Sequence, residues 1–142
     1  MKRLILALVF AAGTAGAQSD TATVMYTVSG VRVIQRKTTA SIVVANLYLL
    51  GGVRQLTTRT AGIENFLLAV SEFGTTKYPK DAMRRALART GSEIPVAPNQ
   101  DWTLVSVHTT TSELDSTWSI FAERIMHPSL DSGDVEFVTT RW

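Results

Sequence analysis

The sequence predicts an α+β fold in which a layered, antiparallel-type sheet carries helices packed on one face. Three observations lead to this prediction: β-branched apolar runs, segments with a 3.6-residue apolar period, and the order of these segments along the chain. Strands come first, then two helices, then one strand, then two helices, which is typical of α+β domains. The chain has 142 residues, enough for one domain.

Four strands are predicted from β-branched and apolar residues bounded by turn residues. They lie at residues 24–28, 31–36, 42–50 and 102–109. The run 42–50 (IVVANLYLL) is apolar at both odd and even positions, which favours a central strand covered on both faces. The strand from Trp102 places Leu104, Ser106 and His108 on the same side as Trp102, because side chains alternate along a strand.

Four helices are predicted from apolar periodicity and from Gly and Pro at their ends. They are residues 62–73, residues 80–90, a helix that Ser112 can cap and that ends before Pro128, and a helix that starts near Asp131. In the first helix the apolar set that predicts the core-facing side is Ile63, Phe66, Leu67 and Val70. In the third helix the corresponding set is Leu114, Trp118, Phe121 and Ile125, so Trp118 is interpreted as a packing residue.

The first 17 residues have the features of a secretory signal peptide. A basic start, Met1-Lys2-Arg3, precedes the apolar run LILALVFAA and the small-residue site Ala15-Gly16-Ala17. The alternative is a buried amino-terminal helix. The sequence therefore predicts a signal peptide at 1–17, a leader with the first strand at 18–29, and a partial domain at 30–142. The protein is expected to be exported, to the periplasm or the medium.

Charge and cysteine content exclude several function classes. Fourteen basic residues face twelve acidic ones, and two of the basic residues are Lys2 and Arg3, so the remainder is balanced at 12 to 12. A balanced chain lacks the basic footprint of a nucleic-acid-binding protein. No second long apolar run predicts a membrane span. Without cysteine, neither disulfides nor thiolate metal ligands are available.

The first helix also poses a question of function. Asn65, Leu68 and Ala69 lie on the side opposite the predicted core residues, where a surface helix would carry charge. We expect this side to be covered as well. Positions 65 and 69 are one helical turn apart, the spacing at which two histidines grip one metal ion.

The chain from about Gly30 resembles the amino-terminal domain of the pitrilysin/insulinase zinc metallopeptidases, which include the mitochondrial processing peptidases. The resemblance rests on a series of short stretches in one order: Gly30-Val31-Arg32-Val33-Ile34, the strand 42–50 with its Gly-Gly, Gly62-Ile63-x-x-Phe66-Leu67, Phe73-Gly74-Thr75, Tyr78-Pro79, Gly91, Asp101-Trp102-Thr103 and Met126-x-Pro128. It covers about four-fifths of the chain. The implied fold is the family's metallohydrolase domain, truncated here.

The resemblance also implies where a metal site would be. The family motif H-x-x-E-H places two zinc ligands and a general base on this helix. The matching positions here are Asn65, Leu68 and Ala69, so none of the three functional residues is present. The family's third ligand, a Glu, aligns just past Trp142. We therefore expect no zinc and no catalytic residue.

A second family feature is an edge strand that holds peptide substrates by backbone hydrogen bonds. The matching positions are Pro95 and Val96. Proline has no N–H to donate, so this edge is expected to be a weaker template for peptides.

Other residues were weighed as replacement ligands or binding groups. His108 and His127 are expected to be structural, Glu64 and Glu72 to be solvated or rim carboxylates, and Asp101 to be a turn residue. The basic set Lys80, Arg84, Arg85 and Arg89 is expected to be a solvated helix face that could alternatively dock an acidic partner.

Three hypotheses about function follow. The favoured one is an exported, proteolytically inactive homologue that acts as a non-catalytic partner or a peptide-enclosing subunit. Its partners would be a catalytic family subunit or a missing carboxy-terminal domain, together with unfolded peptides. The alternatives are a zinc metalloendopeptidase with atypical ligands at His108 and His127, and a truncated remnant that is marginally stable alone.

Overall fold

The computed structural model describes residues 22–141 and contains five strands and four helices in this range. The strands are β1 (Thr23–Val28), β2 (Val31–Arg36), β3 (Ile42–Leu50), β4 (Val96–Pro98) and β5 (Trp102–Thr110). The helices are α1 (Ile63–Val70), α2 (Lys80–Thr90), α3 (Leu114–Met126) and α4 (Ser132–Thr139). The predicted signal peptide, residues 1–17, lies outside the described residues. Within residues 22–141 no helix is both long and apolar enough to cross a membrane.

The amino-terminal unit, up to Thr39, is an antiparallel hairpin of β1 and β2. Its turn residues Ser29 and Gly30 both have positive φ, 47° and 84°, which matches the twist that two-residue hairpins require. The register places the valines and tyrosine of the hairpin on one side: Val24, Tyr26, Val28, Val31 and Val33. The opposite side carries Met25 and Ile34 as well as polar residues, so both sides of the hairpin expose apolar side chains.

The second unit, from Ala40 onward, contains a three-stranded antiparallel sheet in the order β3-β5-β4. The prediction that 42–50 is a central strand is wrong, because β3 forms one edge of this sheet and β5 is its middle strand. The sequence of β5 is less apolar than that of β3 because three of its buried positions hold hydroxyl-bearing residues, Thr103, Ser106 and Thr109. Thus apolarity on both sides of a strand did not identify its place in the sheet.

The core lies between one face of the sheet and the helices. Val105 and Val107 of β5 pack with Met83 of α2 and with Ile120 and Phe121 of α3. Ala45 and Leu47 of β3 pack against the same cluster, as expected from their pairing with Val107 and Val105. The predicted α+β fold with helices on one face of an antiparallel sheet is therefore confirmed.

The other face of the sheet is exposed along β3. Ile42, Val44, Tyr48 and Leu50 are 66%, 57%, 53% and 86% exposed. Tyr48 contacts Trp102 edge-to-face, with ring centroids 6.3 Å apart. We call this surface, residues Ile42, Val44, Tyr48, Leu50 and Trp102, the open face.

Two predicted core-facing stripes differ from the structure. On α1, Val70 is buried but Ile63 and Leu67 are exposed, so the predicted inward side is only partly correct. On α3, Trp118 packs on Phe121 with ring centroids 5.0 Å apart, as expected for a packing residue, but it is 48% exposed and does not lie in the core. The buried positions of α3 are instead Thr117, Ile120, Phe121 and Arg124, two of which are polar.

Candidate functional site

Helix α1 is held in place by glycine-dependent turns at both ends. Gly62 begins it with φ 84° and accepts a hydrogen bond from Phe66 N, at 2.9 Å. A short 3₁₀ turn, Ser71–Phe73, follows and ends at Gly74 with φ 139°. Gly74 forms a bridge with Pro79, and Thr75 N donates to Tyr78 O at 2.8 Å. The stretch from Gly74 to Pro79 is therefore a tight, hydrogen-bonded return into α2.

The three family positions lie on a half-buried side of α1. Asn65, Leu68 and Ala69 are each intermediate in exposure, as expected for a covered side. Helix α1 contacts α4 and β4, which places it beside the edge strand of the sheet. The site position predicted from the sequence therefore belongs to a packed region.

The donor set at these positions does not fit zinc. Zinc in proteins is bound by imidazole nitrogen, thiolate sulfur or carboxylate oxygen. Leu68 and Ala69 offer only carbon, and Asn65 offers a neutral amide. Among residues 22–141, no group of three His, Cys, Asp or Glu side chains is close enough to hold a metal ion.

The two histidines lie in different settings. His108 is exposed on β5, where its backbone exchanges two hydrogen bonds of 2.9 Å with Glu93. His127 follows the last residue of α3, and its Nδ1 lies 3.6 Å from Glu123 Oε1. Each therefore has a local structural role, and no observation favours a shared metal.

Glu64 differs from the expected solvated carboxylate. It accepts a hydrogen bond from the hydroxyl of Thr103, whose backbone pairs with Pro98 of β4. Its second oxygen, Oε2, is buried and has no hydrogen-bond partner among the described residues. Glu64 thus joins α1 to the sheet next to the edge strand.

The register of β4 shows which of its backbone groups are available to a partner. Glu93 pairs with His108 through two hydrogen bonds, and Pro95 O accepts from Ser106 N at 2.9 Å. Because inward and outward residues alternate in an antiparallel ladder, the backbone groups of Ile94, Val96 and Pro98 point away from β5. β4 is an edge strand, so Val96 presents both its N–H and its C=O outward.

This register changes the interpretation of Pro95. Its missing N–H faces β5, so the proline removes no donor from the outer edge. Pro98 is the residue whose missing N–H would have pointed outward. β4 lies at an edge of the sheet, and the donor missing from its outer side belongs to Pro98 and not to Pro95.

The buried charge next to this edge is Arg124, which is 7% exposed. Its guanidinium donates to Ile94 O at 2.8 Å, to Ser71 Oγ at 3.2 Å and to Glu72 Oε1 at 3.1 Å. Burial lowers the pKa of Arg124, while the nearby Glu72 carboxylate opposes this shift. Glu72 is therefore an ion-pair partner and not simply a solvated carboxylate.

Arg124 was not identified from the sequence, although one signal was available. It lies four residues after Ile120 and three after Phe121, on the same helix face. An arginine on that face needs acceptors from neighbouring elements, and only the fold supplies Ile94 O and Ser71 Oγ.

The remaining predicted residues have structural or solvent contacts. Asp101 follows the turn before β5, and its Oδ1 lies 3.0 Å from Arg54 Nη1. Arg84, Arg85 and Arg89 are exposed on α2, as expected for a solvated face. Lys80 instead lies 4.0 Å from the Phe73 ring centroid and 3.9 Å from Asp134 Oδ1.

Comparison with known proteins shows similarity to a family model and to solved structures. The family model described as insulinase (peptidase family M16) matches residues 31–141. A protease from Helicobacter pylori has a similar structure, with a TM-score of 0.75 and 17% sequence identity. The alignment covers 84% of this chain and 29% of that protease. No curated protein matches this sequence.

Proposed function

Because the chain belongs to the insulinase family of peptidases, we propose that it is a non-catalytic member that contributes a peptide-contacting surface. The observation that carries this proposal is the chemistry of Asn65, Leu68 and Ala69. The helix and its turns are retained, while no side chain at these three positions can bind zinc or act as a general base.

The edge strand supports the second part of the proposal. Val96 presents an unpaired N–H and C=O beside α1, and an extended chain can add to such an edge through backbone hydrogen bonds. Backbone pairing is insensitive to side-chain identity, so the ligand class is unfolded or extended peptide. A family subunit with intact zinc ligands would perform any cleavage.

We further propose that the protein is exported, to the periplasm or the medium. The support is the basic, apolar and small-residue order of residues 1–17.

The first test is an activity and metal assay on the protein purified from its exporting host. We expect no stoichiometric zinc and no peptide cleavage. Cleavage that a chelator abolishes would overturn the non-catalytic assignment. Intact mass measured on the same sample checks removal of residues 1–17.

The second test is peptide binding, measured by fluorescence anisotropy with a labelled unstructured peptide. Val96→Pro removes the outward N–H without removing a ladder bond to β5, and we expect it to abolish binding. Val96→Ala keeps the N–H and is the matched control. Equal binding by both variants would exclude β4 as the binding edge.

A further inference from the structure

We propose that Arg124 ends the peptide-binding edge at Ile94 by occupying the outward backbone carbonyl of that residue. This inference rests on the proposed function, since it names the length of extended chain that the same edge can accept. Without Arg124, the edge would offer outward backbone carbonyl groups at Ile94, Val96 and Pro98.

The position of Ile94 in the ladder carries the first step. The segment continues to pair with β5 as far as Glu93, whose backbone bonds to His108 in both directions at 2.9 Å. The sheet itself therefore does not end at Ile94. What changes there is the outer edge, because the Ile94 carbonyl accepts from Arg124 Nη1 at 2.8 Å.

The second step is that Arg124 is held firmly in this position. Ser71 Oγ accepts from its Nε, and Glu72 Oε1 accepts from its Nη2. Three acceptors around a planar guanidinium fix its orientation as well as its place. An added strand cannot reach the Ile94 carbonyl unless these bonds are broken.

The third step concerns where a longer chain would go. A groove of about 370 Å³ lies beside this end of the edge. Its lining includes Met83, Leu87 and Pro95, with Arg84, Glu72 and Arg124 as charged groups. A bound chain that meets Arg124 has room to leave the sheet edge there without making further backbone pairs.

The test is the dependence of affinity on peptide length, measured by anisotropy with unstructured peptides of increasing length. For the wild-type protein we expect affinity to rise and then become constant once the peptide spans Val96 and Pro98. In Arg124→Met the carbonyl of Ile94 is free, so the longest peptides should bind several-fold tighter, up to about tenfold for one added hydrogen bond. Arg85→Met, at an exposed position of α2 outside the groove, is the matched control and should keep the wild-type profile.

Two further variants keep the test decisive if Arg124→Met does not fold. Ser71→Ala and Glu72→Ala each remove one acceptor of the guanidinium and leave Arg124 itself unchanged, and each should raise the affinity of long peptides over short ones. An unchanged length profile in every folded variant would overturn the role of Arg124 while leaving the peptide edge intact. If no peptide binds to the wild type or to any variant, both this inference and the proposed function are wrong.

Discussion

At the residue scale, three side chains on α1, Asn65, Leu68 and Ala69, occupy the positions at which the family resemblance places two zinc ligands and a general base. Asn65 and Ala69 are one turn apart, so the backbone still provides the spacing of a two-histidine grip. What is missing is the donor chemistry and not the helix.

Asn65→His combined with Ala69→His should therefore create zinc affinity. We expect binding tighter than wild type by tenfold or more, about 1.4 kcal/mol. Since imidazole must be neutral to bind metal, the affinity should fall as the pH drops below about 6.5. Calorimetric titration with zinc at several pH values measures both effects.

The control for this prediction is Asn65→His alone, which lacks the second ligand. Equal zinc affinity in the single and double variants would mean that the side chains at positions 65 and 69 do not bind the same metal ion.

A second residue-scale feature is a cluster of buried hydroxyl groups. Ser92 and Thr109 lie 2.9 Å apart, Thr117 donates to Ser92 at 3.0 Å, and Thr109 and Thr117 are 3.1 Å apart. All three residues are at most 5% exposed. Ser92 also accepts from the Thr90 hydroxyl at 2.8 Å, while Thr109 and Thr117 rely on this cluster for their side-chain hydrogen bonds.

We expect Thr117→Val to lower the free energy of unfolding by about 1–3 kcal/mol, because it leaves buried partners unsatisfied without changing side-chain volume much. Ser116→Ala, exposed on the same helix, should cost less than about 0.5 kcal/mol. Urea denaturation of both variants makes the comparison. A small effect of Thr117→Val would show that Ser92 and Thr109 satisfy each other.

Residue-level predictability followed the chemistry of each position. The degenerate positions 65, 68 and 69 could be assigned from spacing and resemblance. The roles of Trp118 and Arg124 could not be assigned, because helical periodicity predicts a buried tryptophan and an exposed arginine. Burial of Arg124 depends on acceptors 30 and 53 residues away in sequence, at Ile94 and Ser71.

At the scale of elements, the return from α1 to α2 depends on Gly74. A Cβ added there would lie 2.9 Å from Lys80 N and 3.2 Å from Tyr78 O, both backbone atoms that cannot move aside easily. The Gly74 carbonyl also accepts from Ser129 N at 3.1 Å, which ties this turn to the connection between α3 and α4.

Gly74→Ala is therefore expected to destabilise the protein by about 1–3 kcal/mol through backbone strain and close contact. Gly91, with φ 61°, lies in the left-handed helical region and has open space around an added Cβ, so Gly91→Ala should cost only about 1 kcal/mol. Thermal melts rank the two variants. A reversed order would mean that strain at Gly74 is relieved by movement of the turn.

Elements were easier to predict than their arrangement. All four helices and the main strands lie where periodicity and turn residues place them. The order of strands was not predictable, because β5 buries threonine and serine where β3 exposes isoleucine, valine and leucine. Apolar residues show which side of a strand can be buried, but polar residues with hydrogen-bonding partners can be buried as well.

At the scale of the whole molecule, the open face groups five exposed apolar and aromatic side chains on one side of the sheet of the second unit. Contiguous apolar patches of this kind mark interaction sites or aggregation hazards. We expect the chain alone to be marginally stable, because β3 contributes one half-buried side to the core and leaves its other side in solvent.

We predict that residues 18–142 self-associate as their concentration rises. Val44→Lys with Leu50→Lys should restore a monomer, because charge on the open face opposes association. Sedimentation velocity over a concentration series measures this, with Ser112→Lys as a control at an exposed polar position. A wild-type monomer with a sharp cooperative melt would contradict the prediction.

The half-burial of Leu68 sets the order in which a zinc motif could be built on this helix. A carboxylate placed at position 68 first would be a partly buried charge without a bound metal ion, and such a charge costs stability. Histidines at 65 and 69 would have to arise before it, and neither alone supplies two metal ligands. Any path from the present residues to a metal site therefore passes through variants with reduced stability or with no gain in metal affinity.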